Sequence, residues 1–127
     1  MRRVREPQRV GALPVEDVDV GTGETGTLDT GTVTRIQVRV TGQTVIEARF
    51  KVFGCSAAIA SASLVAEWLE GGSLEEARGL KADRVVKTLQ LVEEREYVAV
   101  MAVDAAHDAI RNWELKESQI VDRGLRK

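Results

Sequence analysis

The sequence contains one cysteine, Cys55, and one histidine, His107, among 127 residues. A single cysteine cannot form a disulfide bond within the chain, so the fold must be stable without one. One histidine among ordinary serines provides no Ser-His-Asp arrangement, and no pair of carboxylates stands apart from the surface charge. We therefore expect that the protein is not an enzyme.

An excess of charge of one sign and long apolar runs are also missing. Lys and Arg total 18 and Asp and Glu total 20, so the net charge of -2 provides no strong field for nucleic acid or an anionic membrane. There is no apolar run of about 18 residues and no signal-like segment, which predicts a cytoplasmic protein without membrane contact. The length predicts one domain over residues 1–127.

Both prolines lie in residues 1–19, which combine charged residues with scattered Val and Leu. We expect an irregular N-terminal segment there, docked at most over a short length. The next block, Val20–Thr32, contains four glycines and predicts a loop with possible edge-strand pairing. Its GTGETG stretch matches a dinucleotide-binding pattern, but no strong strand precedes it and no helix pattern follows it.

Two segments alternate apolar and charged residues with the period of a half-buried strand, Thr32–Val40 and Thr44–Val52. The short Gly-containing connection predicts an antiparallel hairpin with one apolar face. That face is expected to carry Ile36, Val38, Val40, Ile46, Ala48, Phe50 and Val52. The rest of the chain predicts helices over residues 56–70, 73–77, 83–91 and 93–116, followed by a loose polar tail over 117–127.

Cys55 lies at the corner where the second strand leads into an apolar helix rich in small residues. The first turn of a helix has unpaired backbone N–H groups and the positive end of the helix dipole, which favour a thiolate over a thiol. Cys55 is therefore the position where chemistry could start.

Four segments of the sequence resemble the IscU/NifU family of iron-sulfur cluster scaffold proteins, in the same order and at nearly the same spacing. They are EPQRVGAL (6–13), VGTGETG (20–26), EARFKVFGCSAAIASASLVAEW (47–68) and HDAIRNW (107–113). The resemblance implies an α+β fold in which helices pack on one side of a small antiparallel sheet of three strands.

The resemblance also implies a ligand set that this chain has mostly lost. Family scaffolds hold a [2Fe-2S] cluster or a zinc ion with three cysteines and an aspartate, often with a histidine. An Ala-Cys-Gly-Asp loop provides the first cysteine and the aspartate, and it matches Asp29 to Thr32 here, so that Thr30 and Thr32 replace the ligands. The second cysteine is Cys55.

The last family cysteine follows a histidine in a His-Cys-Ser segment at the start of the final helix. We match that segment to Met101-Ala102-Val103, where both ligand types are absent. The Leu-Pro-Pro-Val-Lys segment that family members offer to their chaperone falls on residues 91–96 and is absent as well. Threonine hydroxyls are poor metal ligands, so one chain is not expected to enclose a cluster or a zinc ion.

Three interpretations of Cys55 remain open. Two subunits could each contribute one thiolate to a bridged [2Fe-2S] cluster, which makes a homodimer possible. Cys55 could instead receive sulfur from a cysteine desulfurase as a persulfide. It could also be an inherited, inert packing residue, which is the interpretation that ordinary cysteine behaviour favours. Asp29, Asp104, His107 and Asp108 are candidate substitute metal ligands, since Asp104 and Asp108 lie four residues apart on one helix.

Two functions from different classes follow. In the first, the chain is a divergent member of the family that takes part in iron-sulfur cluster assembly through Cys55 or through the same machinery. In the second, it is a non-catalytic accessory or regulatory subunit that uses the scaffold fold to bind protein in a larger metalloenzyme complex.

Overall fold

The computed structural model describes residues 9–122, with side chains for residues 9–120. The strands are β1 (Val20–Thr27), β2 (Thr32–Thr41) and β3 (Thr44–Phe53). The α-helices are α1 (Ser56–Leu69), α2 (Leu74–Arg78), α3 (Ala82–Leu89) and α4 (Glu96–Asp122), and 3₁₀ helices lie at Leu28–Thr30 and Glu93–Arg95. The predictions for residues 1–8 and 123–127 lie outside the described residues.

The three strands form one antiparallel sheet in the order β1-β2-β3. The predicted hairpin is confirmed as β2 and β3, joined through a tight turn at Gly42, whose φ of 62° suits glycine. Helices α1 and α4 pack on the face that carries Ile36, Val38 and Phe50, all of which are buried. The predicted α+β fold, with helices on one side of a three-stranded sheet, is therefore confirmed.

The prediction of a loop over Val20–Thr32 is wrong for its first part, because residues 20–27 pair with β2 along their whole length. Gly21 lies opposite Val38 and Gly23 opposite Ile36, so both glycines are on the helix-covered face. A Cβ atom added to Gly21 or Gly23 would lie 2.0 Å from the carbonyl oxygen of Ala109 or Ala105. The glycines thus permit a close contact between a strand and a helix backbone.

The predicted inward position of Ile46 is also wrong. The pairing between β2 and β3 shifts after Arg39, so that Val40 lies opposite Val45 and Arg39 opposite Glu47. Ile46 is the extra residue of this bulge and is 46% exposed, whereas Val45 is fully buried. A β-bulge changes the side-chain alternation, which the period in the sequence does not reveal.

The N-terminal segment docks on the opposite face of the sheet. Gln37 Oε1 accepts a hydrogen bond from the Leu13 N–H at 2.9 Å, and Gln37 Nε2 donates one to the Leu13 carbonyl at 2.9 Å. Nearby, Arg39 forms ion pairs with Asp17, Asp19 and Glu47. Hydrogen bonding to Asp19, and then to Glu47, raises the pKa of Arg39, which keeps it charged.

The last helix is displaced relative to its prediction. It begins at Glu96 and runs to Asp122, so residues 117–122 are helical and the predicted loose tail is wrong for them. Lys116 ties this helix to the N-terminal segment by donating hydrogen bonds to the carbonyls of Val15, Asp17 and Val20. Among residues 9–122, none of the helices combines the length and the apolar character needed to cross a membrane.

The Gly23→Ala variant is expected to lower the free energy of unfolding by about 2–3 kcal/mol, because the added methyl group collides with the α4 backbone. Urea unfolding followed by circular dichroism measures the change. Gly79→Ala is the matched control, since a Cβ atom there meets its nearest neighbours at 3.6 and 3.7 Å. Equal stabilities of the two variants would show that the contact between β1 and α4 is not tight.

Candidate functional site

The corner between β3 and α1 places Cys55 at the N-cap of α1. Its backbone is extended, with φ −80° and ψ 171°, and its carbonyl accepts hydrogen bonds from the N–H groups of Ala58 and Ile59. The Cys55 side chain makes no capping hydrogen bond and is partly exposed. The thiol is therefore free to contact solvent or a partner at the positive end of a helix.

Thr32 is the candidate residue that lies beside this corner. A Cβ atom built on Gly54 would lie 3.1 Å from Thr32 Cγ2 and 3.3 Å from Thr32 Oγ1. Thr32 itself is only 4% exposed, at the start of β2. Its hydroxyl is thus close to the Cys55 segment but largely removed from solvent.

The Thr30 hydroxyl takes part in hydrogen bonds within its own turn. Thr30 ends the short 3₁₀ helix and donates a hydrogen bond from Oγ1 to the Thr27 carbonyl at 2.8 Å. The Thr27 side chain in turn accepts a hydrogen bond from the Thr30 N–H, which completes a capping box. This hydroxyl therefore stabilises a turn, and a neutral hydroxyl is a poor donor to iron.

Met101 and Ala102 lie in the second turn of α4 and not at its beginning. The Met101 carbonyl accepts a hydrogen bond from Thr25 Oγ1 at 2.8 Å, and Ala102 is fully buried. The helix begins at Glu96, so the residues at its start are Glu96, Tyr97 and Val98. The resemblance expects a His-Cys segment at the start of the last helix, and the residues at that start include neither a histidine nor a cysteine.

The four candidate substitute ligands do not converge. Residues 9–120 contain no group of three or more His, Cys, Asp or Glu side chains that could hold a metal ion. Asp29 and Asp104 are exposed, and Asp108 accepts a hydrogen bond from Arg111 at 2.6 Å. His107 lies in a pocket with Arg78, Arg111 and Glu114, and its buried Nε2 has no hydrogen-bond partner there.

Two apolar side chains near the corner were not predicted as functional residues. Leu28 is 71% exposed and Phe53 is 60% exposed, and both line a groove on the sheet face opposite the helices. Phe53 comes just after the predicted strand end, and Leu28 is the one large apolar residue among the Gly and Thr of its segment. Neither residue belongs to an alternating or helical pattern of apolar residues in the sequence. This is the feature that could have indicated an exposed position.

The corner between β3 and α1 provides one soft metal ligand, the Cys55 thiol. A [2Fe-2S] cluster takes four ligands of the thiolate class, and zinc takes four N, S or O donors. One Cys55 thiolate provides one of them, and the side chains found beside it are a buried threonine and apolar groups. The site can present one sulfur atom to an external group.

Comparison with known proteins gives a consistent result. The family model described as NifU-like N terminal domain matches residues 1–120. The chain is 41% identical over 115 residues to the iron-sulfur cluster assembly scaffold protein IscU of Azotobacter vinelandii, covering 90% of both chains. It is 39% identical over 111 residues to IscU of Escherichia coli K12, covering 87% of both. A solved NifU-like N-terminal domain from Brucella abortus shares the fold, with a TM-score of 0.66, 20% identity and coverage of 89% and 90%.

Cys55 is expected to react with Ellman's reagent in the native protein, because its side chain is partly exposed and makes no capping bond. The measurement is the absorbance of released thionitrobenzoate, which should correspond to one thiol per chain. Cys55→Ser should release none. Reaction that begins only after denaturant is added would instead identify Cys55 as an enclosed packing residue.

Proposed function

The chain belongs to the family of NifU-like N-terminal domains that includes the IscU scaffold proteins, and from this we propose that it takes part in iron-sulfur cluster assembly without enclosing a cluster within one chain. The resemblance predicted from sequence is thereby confirmed. The observation that carries the proposal is the single thiol, Cys55, partly exposed at the N-terminus of α1. Thr30 and Thr32 occupy two other ligand positions that the family pattern implies.

Cys55 supports two routes within this function. In the first, two copies each contribute one thiolate, and small thiols or a partner complete the four ligands of a bridged [2Fe-2S] cluster. In the second, the Cys55 thiolate attacks the outer sulfur of a desulfurase persulfide. The new S–S bond forms at Cys55, and the desulfurase leaves as its thiolate, so no external oxidant is required. Both routes need a reduced thiol, which suits the cytoplasm.

A second candidate function is a non-catalytic accessory subunit that binds protein through the scaffold fold. The exposure of Leu28 and Phe53 on the sheet face beside the corner supports it, because exposed apolar groups in a groove are typical of binding surfaces. In this function Cys55 is a packing residue, and the partner belongs to a larger metalloenzyme complex.

Anaerobic reconstitution with iron, sulfide and dithiothreitol separates the two functions. The first predicts one [2Fe-2S] cluster per two chains, with a visible absorption spectrum and a dimer in native mass spectrometry. Cys55→Ala should lose the cluster, and Thr30→Ala should keep it, because a hydroxyl is not among its ligands. A colourless, iron-free wild-type protein would contradict the bridged route.

Sulfur transfer is tested separately with a cysteine desulfurase and cysteine as the sulfur source. Cys55 should gain the mass of one sulfur atom, and alkylation followed by reduction should remove it. Absence of this mass shift together with absence of iron would leave the accessory subunit as the function.

Ligand restoration provides a further test of the vacated positions. A Thr30→Cys, Thr32→Asp, Val98→Cys variant should bind one cluster within a single chain, because it supplies three thiolates and a carboxylate with Cys55. The matched variant with Ala102→Cys in place of Val98→Cys should not, because Ala102 lies one helical turn further from the start of α4, whereas the burial of the two side chains is the same. Iron content per monomer by metal analysis is the readout. Equal loading of both variants would contradict the placement at Val98.

A further inference from the structure

We propose that the groove on the sheet face opposite the helices binds a segment of a partner protein in which carboxylates flank bulky apolar side chains. This outer groove crosses all three strands. Its lining comprises Glu24, Gly26, Thr27, Leu28, Val33, Arg35, Lys51, Val52 and Phe53. The inference deepens the second candidate function by naming the chemistry of the partner, and it does not depend on Cys55.

The apolar part of the outer groove lies at the end nearest the Cys55 corner. Val33 and Phe53 are paired across β2 and β3, so their side chains are on the same face. Leu28 and Phe53 are both mostly exposed, whereas the other face of the sheet is covered by α1 and α4. This end of the groove therefore offers two bulky side chains for apolar contact.

The polar part of the outer groove is a row of three charged residues across the sheet. Glu24 lies opposite Arg35, and Arg35 lies opposite Lys51. Two like charges directly opposite each other destabilise a sheet unless an anion neutralises them. Two basic groups against one acidic group leave this part of the groove with an excess of positive charge.

Arg35 differs from Arg39, which lies four residues further along the same face of β2. Arg39 donates hydrogen bonds to three carboxylates. Arg35 has a buried Nε without a hydrogen-bond partner, and among the described side chains neither it nor Lys51 forms an ion pair. The Arg35 guanidinium group thus has no ion-pair partner among the described side chains, and a carboxylate is the group best suited to accept its hydrogen bonds.

The occupant is a segment of another protein for two reasons. The groove is open along one side, so a small molecule would keep much of its surface in water, unlike ligands in enclosed sites. The chain's own ends do not match its charge, because residues 1–8 contain three Arg and one Glu, and residues 123–127 contain three basic residues and no acidic one. Charge complementarity therefore favours an acidic partner.

The test is a fluorescence anisotropy titration of the full chain with a labelled probe peptide, Gly-Glu-Leu-Phe-Glu-Gly, blocked at both ends. The same peptide with Gln in place of each Glu should bind at least about tenfold more weakly, as expected from loss of a charge-assisted hydrogen bond. Arg35→Gln should weaken binding of the Glu peptide by a similar factor, and Leu28→Ser should weaken binding of both peptides. Arg111→Gln removes an exposed charge from the helix layer and should leave the affinity unchanged.

Amide NMR spectra of the labelled chain give an independent readout, with peptide-induced shifts expected at residues 24–28, 33–35 and 51–53. Shifts confined to other residues, or equal affinity for the Glu and Gln peptides, would overturn the proposal. So would self-association that occupies the groove and is lost in Leu28→Ser, since the occupant would then be a second copy. The wild-type comparison of the two peptides holds even if Arg35→Gln fails to fold. Failure here leaves the iron and sulfur-transfer results unaffected, so the two proposals are judged separately.

Discussion

The close contact between β1 and α4 is the constraint on which the arrangement of this molecule depends. Gly21 and Gly23 have no side chain, and the backbone carbonyls of Ala109 and Ala105 occupy the space where a Cβ atom would lie. Asn112 extends the contact by accepting a hydrogen bond from the Thr22 N–H at 3.0 Å. With the helix held against the edge strand, the rest of the sheet face is left for α1 to cover.

This contact also sets the geometry of the end where Cys55 lies. Because α4 follows β1 closely, Met101 reaches Gly26 and its carbonyl accepts the Thr25 hydroxyl. The start of α4 is thereby placed beyond the end of β1, while the β3-to-α1 corner presents Cys55 and packs against Thr32. The side chains described at this end include the Cys55 thiol, the hydroxyls of Thr30 and Thr32, and apolar groups.

The two faces of the sheet serve different purposes. The inner face is buried under α1 and α4 and supplies the core. The outer face is partly covered by the N-terminal segment, which Gln37 holds through two hydrogen bonds to Leu13. The remaining part exposes Leu28 and Phe53 beside Arg35, which forms no ion pair within the part of the chain that the structure describes. Mutations in this uncovered part and at Cys55 therefore test the two proposals separately.

Much of the local structure could be predicted from sequence, because strong periods and capping signals are local. The alternation in β2 and, apart from Ile46, in β3 was correctly predicted, as was the Ser73 capping box with Glu76. The strand at Val20–Thr27 was not correctly predicted. Four glycines among residues 20–32 suggest a loop, unless a surface packed against them leaves no room for side chains. The start of α4 was not predicted correctly either, since the helix begins at Glu96 and not at Glu93, and the exact start of a helix depends on its packing.

By itself, the sequence determined the number of soft donors and the order of the elements: one thiol, a hairpin, a strand-to-helix corner and a long final helix. Only the tertiary structure decided which glycines contact α4, that Val45 and not Ile46 points into the core, and that Arg39 has three carboxylate partners while Arg35 has none among the described side chains. Each of these depends on contacts between residues far apart in the chain, and residue types and local periods carry no information about which distant groups will meet.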